Sequence, residues 1–315
     1  MESTYRAFGL TIGSELSLPG LPVSSDSPQI HIRRAVVPEW NGHARIRYAE
    51  RCRIDGQKWW VHFKAVQFTG LIHDGKLIEF DADPAQDHIS ALHVLGSCTG
   101  ALLFQRGLMP IHGNTVAGPQ GTATIVGKIG AGKSATTFAL MDRGYRLVAD
   151  DISAFSFEGG TPRVMPGFPR LKLWKSTLEH FARDPDEFVR LRPELEKYHY
   201  PVEDAFCGEP QAPDAIYILH PAESPGVHIR PLSGVTKLEA MRAHLYKIRF
   251  RDAILNWPPL LNKICVLADK VSVNIVERPQ AGTTIEAVAE AIHSHLAHLS
   301  SEGSARVSRD PASVA

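Results

Sequence analysis

The run Gly127-Lys128-Ile129-Gly130-Ala131-Gly132-Lys133-Ser134 fits the pattern G-x-x-x-x-G-K-[ST], and the acidic pair Asp150-Asp151 stands farther along the chain. Backbone N–H groups of such a glycine loop, together with the N-terminus of the helix after it, make a concave site for a polyphosphate. Side chains larger than glycine would obstruct that approach. Lys133 can reach the β- and γ-phosphates, Ser134 can ligate Mg²⁺, and a carboxylate at the end of the neighbouring strand can hold the same ion or its water. Asp150 and Asp151 stand where that acid is needed. The expected phosphate-binding set is Gly127, Gly130, Ala131, Gly132, Lys133, Ser134 and Ala135. These residues predict a nucleoside triphosphate with Mg²⁺, and they do not choose between ATP and GTP.

That chemistry requires elements to position it. Thr122 to Val126 is a short apolar, β-branched run that reads as a buried strand. Ser134 to Arg143 reads as a helix stopped by Gly144, and Tyr145 to Ala149 as a second buried strand ending in the acids. Met109 to Ala117 reads as a strand joined to the first through the turn Gly118-Pro119-Gln120-Gly121. This hairpin brings His112 beside the phosphate site, where an imidazole can aid proton transfer or phosphate contact.

Ile111-His112-Gly113, the glycine loop and the run from Arg143 to Asp151 together resemble the catalytic domain of the bacterial HPr kinase/phosphorylase family. That family places a histidine-glycine pair just upstream of the loop and a hydrophobic-Ala-Asp-Asp strand end just downstream. Tyr5 to Leu10 with Leu18-Pro19-Gly20-Leu21, and later Pro169 to Trp174, look like the HPr-kinase-like proteins of peptide-tailoring systems. Among these are lasso-peptide kinases, which phosphorylate a serine at the precursor's C-terminus. The resemblance implies an α/β fold, with a P-loop core like the C-terminal domain of HPr kinase and an N-terminal β-rich region. It implies catalytic roles for His112, Lys133, Asp150 and Asp151, with Ser134 and Asp150 on the metal and Asp151 accepting the hydroxyl proton. The acids can exchange roles, because adjacent strand residues face opposite sides.

Two departures bear on the substrate. Ala135 stands where the family has a glutamate after the loop serine, and the family's Arg- and Gly-rich signature with its metal-binding glutamate has no counterpart. These point away from HPr and from phosphorolysis, toward a ribosomally made precursor peptide as partner and substrate. The family's hexamers imply a homo-oligomer. A small-molecule kinase and a nucleotide-binding regulatory module without transferase activity fit the same residues.

The 315 residues, 43% of them hydrophobic, suffice for one large domain or two ordinary ones. Lys and Arg total 34 and so do Asp and Glu, so no charge excess points to nucleic acid or to an anionic membrane. Cys52, Cys98, Cys207 and Cys265 lack C-x-x-C spacing, which argues against a disulfide framework and a zinc ribbon. With no signal-like opening and no membrane-length apolar run, the expected location is the cytoplasm.

Residues 1–84 read as a separate β-rich region, 85–299 as the P-loop catalytic domain and 300–315 as a disordered tail. Short strands are expected at Tyr5–Ile12, Ile30–Ile32, Ala44–Tyr48, Arg51–Ile54, Trp59–Phe68 and Lys76–Phe80, with turns at Asp55-Gly56 and Asp74-Gly75. Of Trp59-Trp60, strand alternation makes one core. His31, His43, His62 and His73 read as structural or surface residues. Ala85 to Gly107 reads as a largely buried helix. Ile152–Phe157 is expected to pair antiparallel with Arg163–Met165, and Pro166-Gly167-Phe168-Pro169 to make a stiff connection to Leu171-Lys172-Leu173-Trp174, where Arg170 and Lys172 could reach phosphate or substrate or remain surface charges. Helices are expected over Ser176–Arg183, Pro185–Lys197, Lys237–Phe250, Asp252–Leu255 and Thr284–Leu299, with Lys197-Tyr198-His199-Tyr200 in an irregular segment. Strands are expected at Ala215–Leu219, Gly226–Pro231 and Val271–Val276. Arg249-Phe250-Arg251 could supply a charge-stabilising arginine or a helix-surface pair. His293, His295 and His298 read as a solvated polar edge of the closing helix.

Overall fold

The computed structural model describes residues 2–38, 46–48, 52–246, 258–280 and 284–307. His43, the helix expected over Asp252–Leu255 and the Arg249-Phe250-Arg251 triplet lie outside the described residues. The chain is mixed α/β, and its described residues form three sheets.

The strand-like runs before Pro84 pair into one sheet. Its strands are β1 (Ser3–Ala7), β2 (Leu10–Ser14), β3 (Ile30–Arg34), β4 (Ile46–Tyr48), β5 (Cys52–Asp55), β6 (Lys58–Phe63), β7 (Phe68–His73) and β8 (Leu77–Asp81), in the order β1-β2-β3-β8-β7-β6-β5-β4. The expected single strand Tyr5–Ile12 is a hairpin instead, because Phe8 and Gly9 both turn left-handed, at φ 56° and 72°. Likewise Trp59–Phe68 breaks at a short 3₁₀ turn, Lys64–Val66, between β6 and β7. Trp59 is buried and Trp60 half-buried, as alternation requires. The apolar stretch that follows forms helices α1 (Asp87–His93) and α2 (Thr99–Gln105), joined by a wider π turn, Val94–Cys98. Its Val94, Leu102 and Phe104 share one core with Ile72 and Phe80 before it and with Met109, Ile111 and Val126 after it. One continuous core therefore lies on both sides of residue 84.

The second sheet contains β9 (Met109–Gly118), β10 (Gly121–Gly127), β11 (Arg146–Ala149), β12 (Ile152–Ser156), β13 (Arg163–Met165), β17 (Ala215–Ala222), β18 (His228–Pro231) and β19 (Ser272–Pro279). Its order is β13-β12-β9-β10-β17-β19-β18, with β11 also pairing β9. Strands β10, β17 and β19 are parallel, and helix α3 (Lys133–Met141) and the closing helix Ile285–Val307 cover the same face, sharing a core with Ile125, Tyr217 and Val276. The third sheet, β14 (Arg170–Trp174), β16 (Leu195–Pro201) and β15 (Val189–Arg192) in that order, packs Leu171, Leu173 and Tyr198 against Phe138 of α3 and Leu147 of β11. Helix α4 (Lys175–His180) follows β14 directly.

Three helical expectations are corrected. Pro185–Lys197 is mostly the antiparallel hairpin β15–β16, for Pro193 cannot continue a helix and drives Arg192 toward extended backbone. The helix expected to reach Phe250 is α5 (Gly234–Ala243); it stops because the following residues bond to β9, His112 N–H to His244 O and Tyr246 N–H to Pro110 O, each 2.8 Å. The closing helix runs past Ser300 to Val307, so the expected irregular tail does not begin there, and residues 308–315 lie outside the described set. A helix the sequence reading omitted, Pro258–Lys270, packs against α5. No helix among the described residues is long and apolar enough to cross a membrane.

Candidate active site

Strand β9 is the rod on which the site is assembled. One edge pairs with β10, which leads into the glycine loop, and the other pairs first with β11 and then with β12, on either side of the acidic pair. Gly113 lies opposite Val126 in this ladder, and a Cβ there would stand 2.6 Å from Ile125 O and 2.7 Å from Val126 Cγ1. Only glycine lets β9 approach β10 so closely. His112 and Asn114 flank it on the opposite side of the strand.

The loop closes as its composition requires. Gly127 has φ 152°, and a Cβ on it would meet Leu219 O of β17 at 2.9 Å. Helix α3 starts at Lys133, and no side chain caps its first turn, so its leading N–H groups are available to an anion. Lys133 Nζ returns to the loop, 3.0 Å from Gly127 O and 3.4 Å from Lys128 O. Burial pulls the Lys133 ammonium below its ordinary range, with Asp151 working against that change.

Between β11 and β12 the chain makes a three-residue turn, with Ile152 N–H donating to Asp150 O at 2.7 Å and Asp151 left-handed at φ 67°. Aspartate tolerates this conformation better than most residues. The turn gives the two acids different surroundings. Asp150, 7% exposed, accepts a bond from Lys172 N–H at Oδ2, 3.1 Å away. The Asp151 side chain is 31% exposed and meets Lys172 Nζ at 3.0 Å, while His112 Nδ1 lies 3.3 Å from its Oδ1 and 3.1 Å from its carbonyl oxygen. Burial lifts the Asp150 carboxyl above the ordinary carboxylate range against the pull of Lys172, and Asp151 adds to the rise. Burial acts in the same direction on Asp151, but the Lys172 charge and the His112 contact outweigh it and hold that carboxyl well below the ordinary range.

His112, Gly130, Gly132, Lys133, Ser134, Ala135, Asp150 and Asp151 line one cavity of about 450 Å³. Gly127 sits behind it at the root of the loop, and Ala131 faces a neighbouring cavity of about 330 Å³. The two basic residues near β14 divide. Lys172 enters the large cavity, whereas Arg170 is buried, donates to Pro19 O at 2.9 Å and lies over the Phe168 ring. Trp174 and Lys197 form the far wall, the Lys197 ammonium 5.5 Å from the indole centroid.

Sequence reasoning passed over Asn114, which joins the halves of the site. Its Oδ1 accepts from Asp151 N–H at 3.1 Å, and its Nδ2 lies 3.5 Å from Ser134 Oγ. The available signal was a polar amide two residues beyond His112 on an otherwise apolar strand. Of the histidines of the closing helix, His298 is exposed as expected, whereas His293 and His295 are half-buried and reach the hydroxyls of Tyr145 and Tyr217, at 3.2 and 2.9 Å, so these two are structural contacts.

Among the described residues no group of three or more His, Cys, Asp or Glu side chains could hold a metal by itself. The donors present suit Mg²⁺, which takes one or two carboxylates and completes its shell with substrate phosphates and water. The link through Asn114 places the Ser134 hydroxyl and the acid pair around the same cavity.

No family model and no curated protein matches the chain. Among solved structures, the HPr(Ser) kinase/phosphatase from Coxiella burnetii is similar over 64% of this chain and 98% of its own, at 12% identity and a TM-score of 0.35. The functional reading rests on the geometry of the site.

Proposed function

We propose that the chain is an ATP- and Mg²⁺-dependent phosphotransferase whose acceptor is a serine hydroxyl, at or near the C-terminus of a ribosomally made precursor peptide of the lasso class. The observation that carries the kinase reading is the convergence of the loop lysine, the loop serine, both acids and His112 on a single cavity. The peptide acceptor is supported by the sequence resemblance and by the Trp174–Lys197 wall, an aromatic and cationic surface against which a chain ending in a carboxylate can lie. GTP in place of ATP requires the same loop contacts.

In this mechanism the loop N–H groups and Lys133 seat the phosphates, and Ser134 and Asp150 are the ligands offered to the ion. Bound Mg²⁺ supplies charge neutralisation at the phosphates. Asp151, the more exposed acid, is kept ionised by Lys172 and His112 and is thereby ready to accept the acceptor's hydroxyl proton. His112 and Asn114 fix its orientation.

Intact-mass measurement of a precursor peptide incubated with the protein, Mg²⁺ and ATP tests the reading, with Asp151→Asn alongside. A gain of one phosphate with the wild type alone is the expected result. ATP consumption with an unmodified peptide transfers the reading to a small-molecule acceptor, and binding without consumption transfers it to a regulatory module.

A further inference from the structure

Two stretches take no part in the mechanism above, Leu18-Pro19-Gly20-Leu21 near the N-terminus and the Arg170 that opens β14. The fold brings them into contact. Pro19 and Gly20 are the central residues of a turn closed by Leu21 N–H on Leu18 O at 3.3 Å, and Gly20 is left-handed at φ 84°. Proline followed by a left-handed glycine makes a type II turn, in which the peptide between the two is reversed relative to type I. The Pro19 carbonyl of that peptide accepts from Arg170 Nη1 at 2.9 Å, and the guanidinium lies against Gly20, its Nη1 3.5 Å from where a Cβ would stand.

Arg170 is a buried cation with little to hold it. Beyond Pro19 O it has the Phe168 ring, 5.1 Å away, and its Nε finds no hydrogen-bond partner among the described residues. Burying such a charge is costly, and a neutral side chain would fill the space without that cost. What the guanidinium adds is an anchor for β14. That strand lies at the edge of its sheet, and Lys172 N–H is spent on Asp150 rather than on a neighbouring strand. Arg170 and Lys172 share one face of it by alternation. The residues leading into β14 are gripped from two sides: Gly167 N–H donates to Val148 O of β11 at 2.8 Å, and Phe8 N–H to Pro166 O at 2.6 Å, with the Phe8 ring edge-on to Phe168. The N-terminal region is therefore one jaw of a clamp whose other jaw is the strand that ends in the acids. We propose that Arg170 is a positioning residue, through which the turn at Pro19-Gly20 fixes the start of β14 and keeps Lys172 on both acids. Its part in phosphate transfer rests on the kinase reading above.

Hydrogen exchange of the full chain, resolved to single amides, tests this without recourse to activity, because Lys172 N–H is itself one of the two contacts. Arg170→Met keeps the length of the side chain and removes the anchor. Exchange at Lys172 is expected to rise roughly tenfold relative to the amides of β10, as for the loss of about one hydrogen bond. Gly20→Ala leaves every residue of the cavity in place but resists the left-handed φ, so the turn relaxes toward type I and the Pro19 carbonyl turns away. It is expected to raise the same exchange to a smaller degree, and it decides the matter if Arg170→Met does not fold. ATP turnover then tests the consequence: Arg170→Met is expected to lower kcat with KM for ATP unchanged, and to add nothing to Lys172→Met in the double variant. Exchange at Lys172 that rises no more than at β10 in either variant, or losses of turnover that add, overturns the assignment. A wild type that turns over no ATP overturns the kinase reading, and exchange alone then decides whether Arg170 holds Lys172.

Discussion

Lys172 holds both acids through different atoms, its backbone N–H on Asp150 and its ammonium on Asp151, so one residue of β14 governs the charge of a pair carried on another sheet. Lys172→Met keeps the first contact and removes the second. Without the ammonium, the Asp151 carboxyl rises toward its ordinary range. The acidic limb of the ATP-turnover profile against pH is then expected to move to higher pH, with turnover reduced. An unmoved limb would show that Asp151 is not the titrating group.

Lys133→Ala removes the cation proposed to meet the phosphates and is expected to lower turnover about 10²–10³-fold, the usual cost of losing one group that stabilises developing charge. A stopped assay against ATP reads this directly, and circular dichroism checks that α3 still forms.

The acids should separate by what they bind. Asp150→Asn is expected to abolish the Mg²⁺ dependence of ADP affinity. Asp151→Asn is expected to preserve it while turnover is lost. The reverse pattern, read by calorimetry with and without EDTA, would exchange their roles.

Gly113→Ala places a methyl group against a backbone carbonyl that the β9–β10 ladder prevents from moving. Overpacking of this kind costs about 1–3 kcal/mol, so the urea midpoint should fall. Gly130→Ala supplies a contrast, since a Cβ there meets nothing within 4 Å and only the φ of 81° resists it.

His199 on β16 pairs with Lys172, and its Nδ1 is buried without a hydrogen-bond partner. Burial, reinforced by Arg170, Lys172 and Lys197, pulls the imidazole down to about 3 from its ordinary value of 6.5. The unfolded chain therefore takes up this proton first as pH falls, and the native state loses stability from pH 6.5 toward about 3. His199→Gln is expected to flatten the decline of the urea midpoint across that window; an identical slope would assign the acid sensitivity to other groups.

Much of the glycine-loop side of the cavity was legible in the sequence, because a glycine loop between a strand and a helix is local. Its neighbours in space are its neighbours along the chain, and Gly127 through Asp151 reveal their order without long-range information. The far wall was not legible in that way. Trp174 and Lys197 come together only through the pairing of β14 with β16, and the charged run around them imitates a solvated helix until Pro193 is weighed. Asn114 escaped notice for a different reason: an amide gains its role from what it bridges, and neither Ser134 nor Asp151 is close to it in sequence.

Strand β9 has one further consequence. Because it is bonded to the loop-bearing strand on one edge and to the acid-bearing strands on the other, the spacing between glycine loop and acid pair is a property of a hydrogen-bond ladder and owes nothing to loop length. The opposite wall belongs to the third sheet, whose Leu171, Leu173 and Tyr198 share a core with Phe138 of α3 and Leu147 of β11. If the site transfers phosphate as proposed, a change of acceptor falls to the β15–β16 hairpin, and the distance from glycine loop to acid pair stays as the ladder sets it.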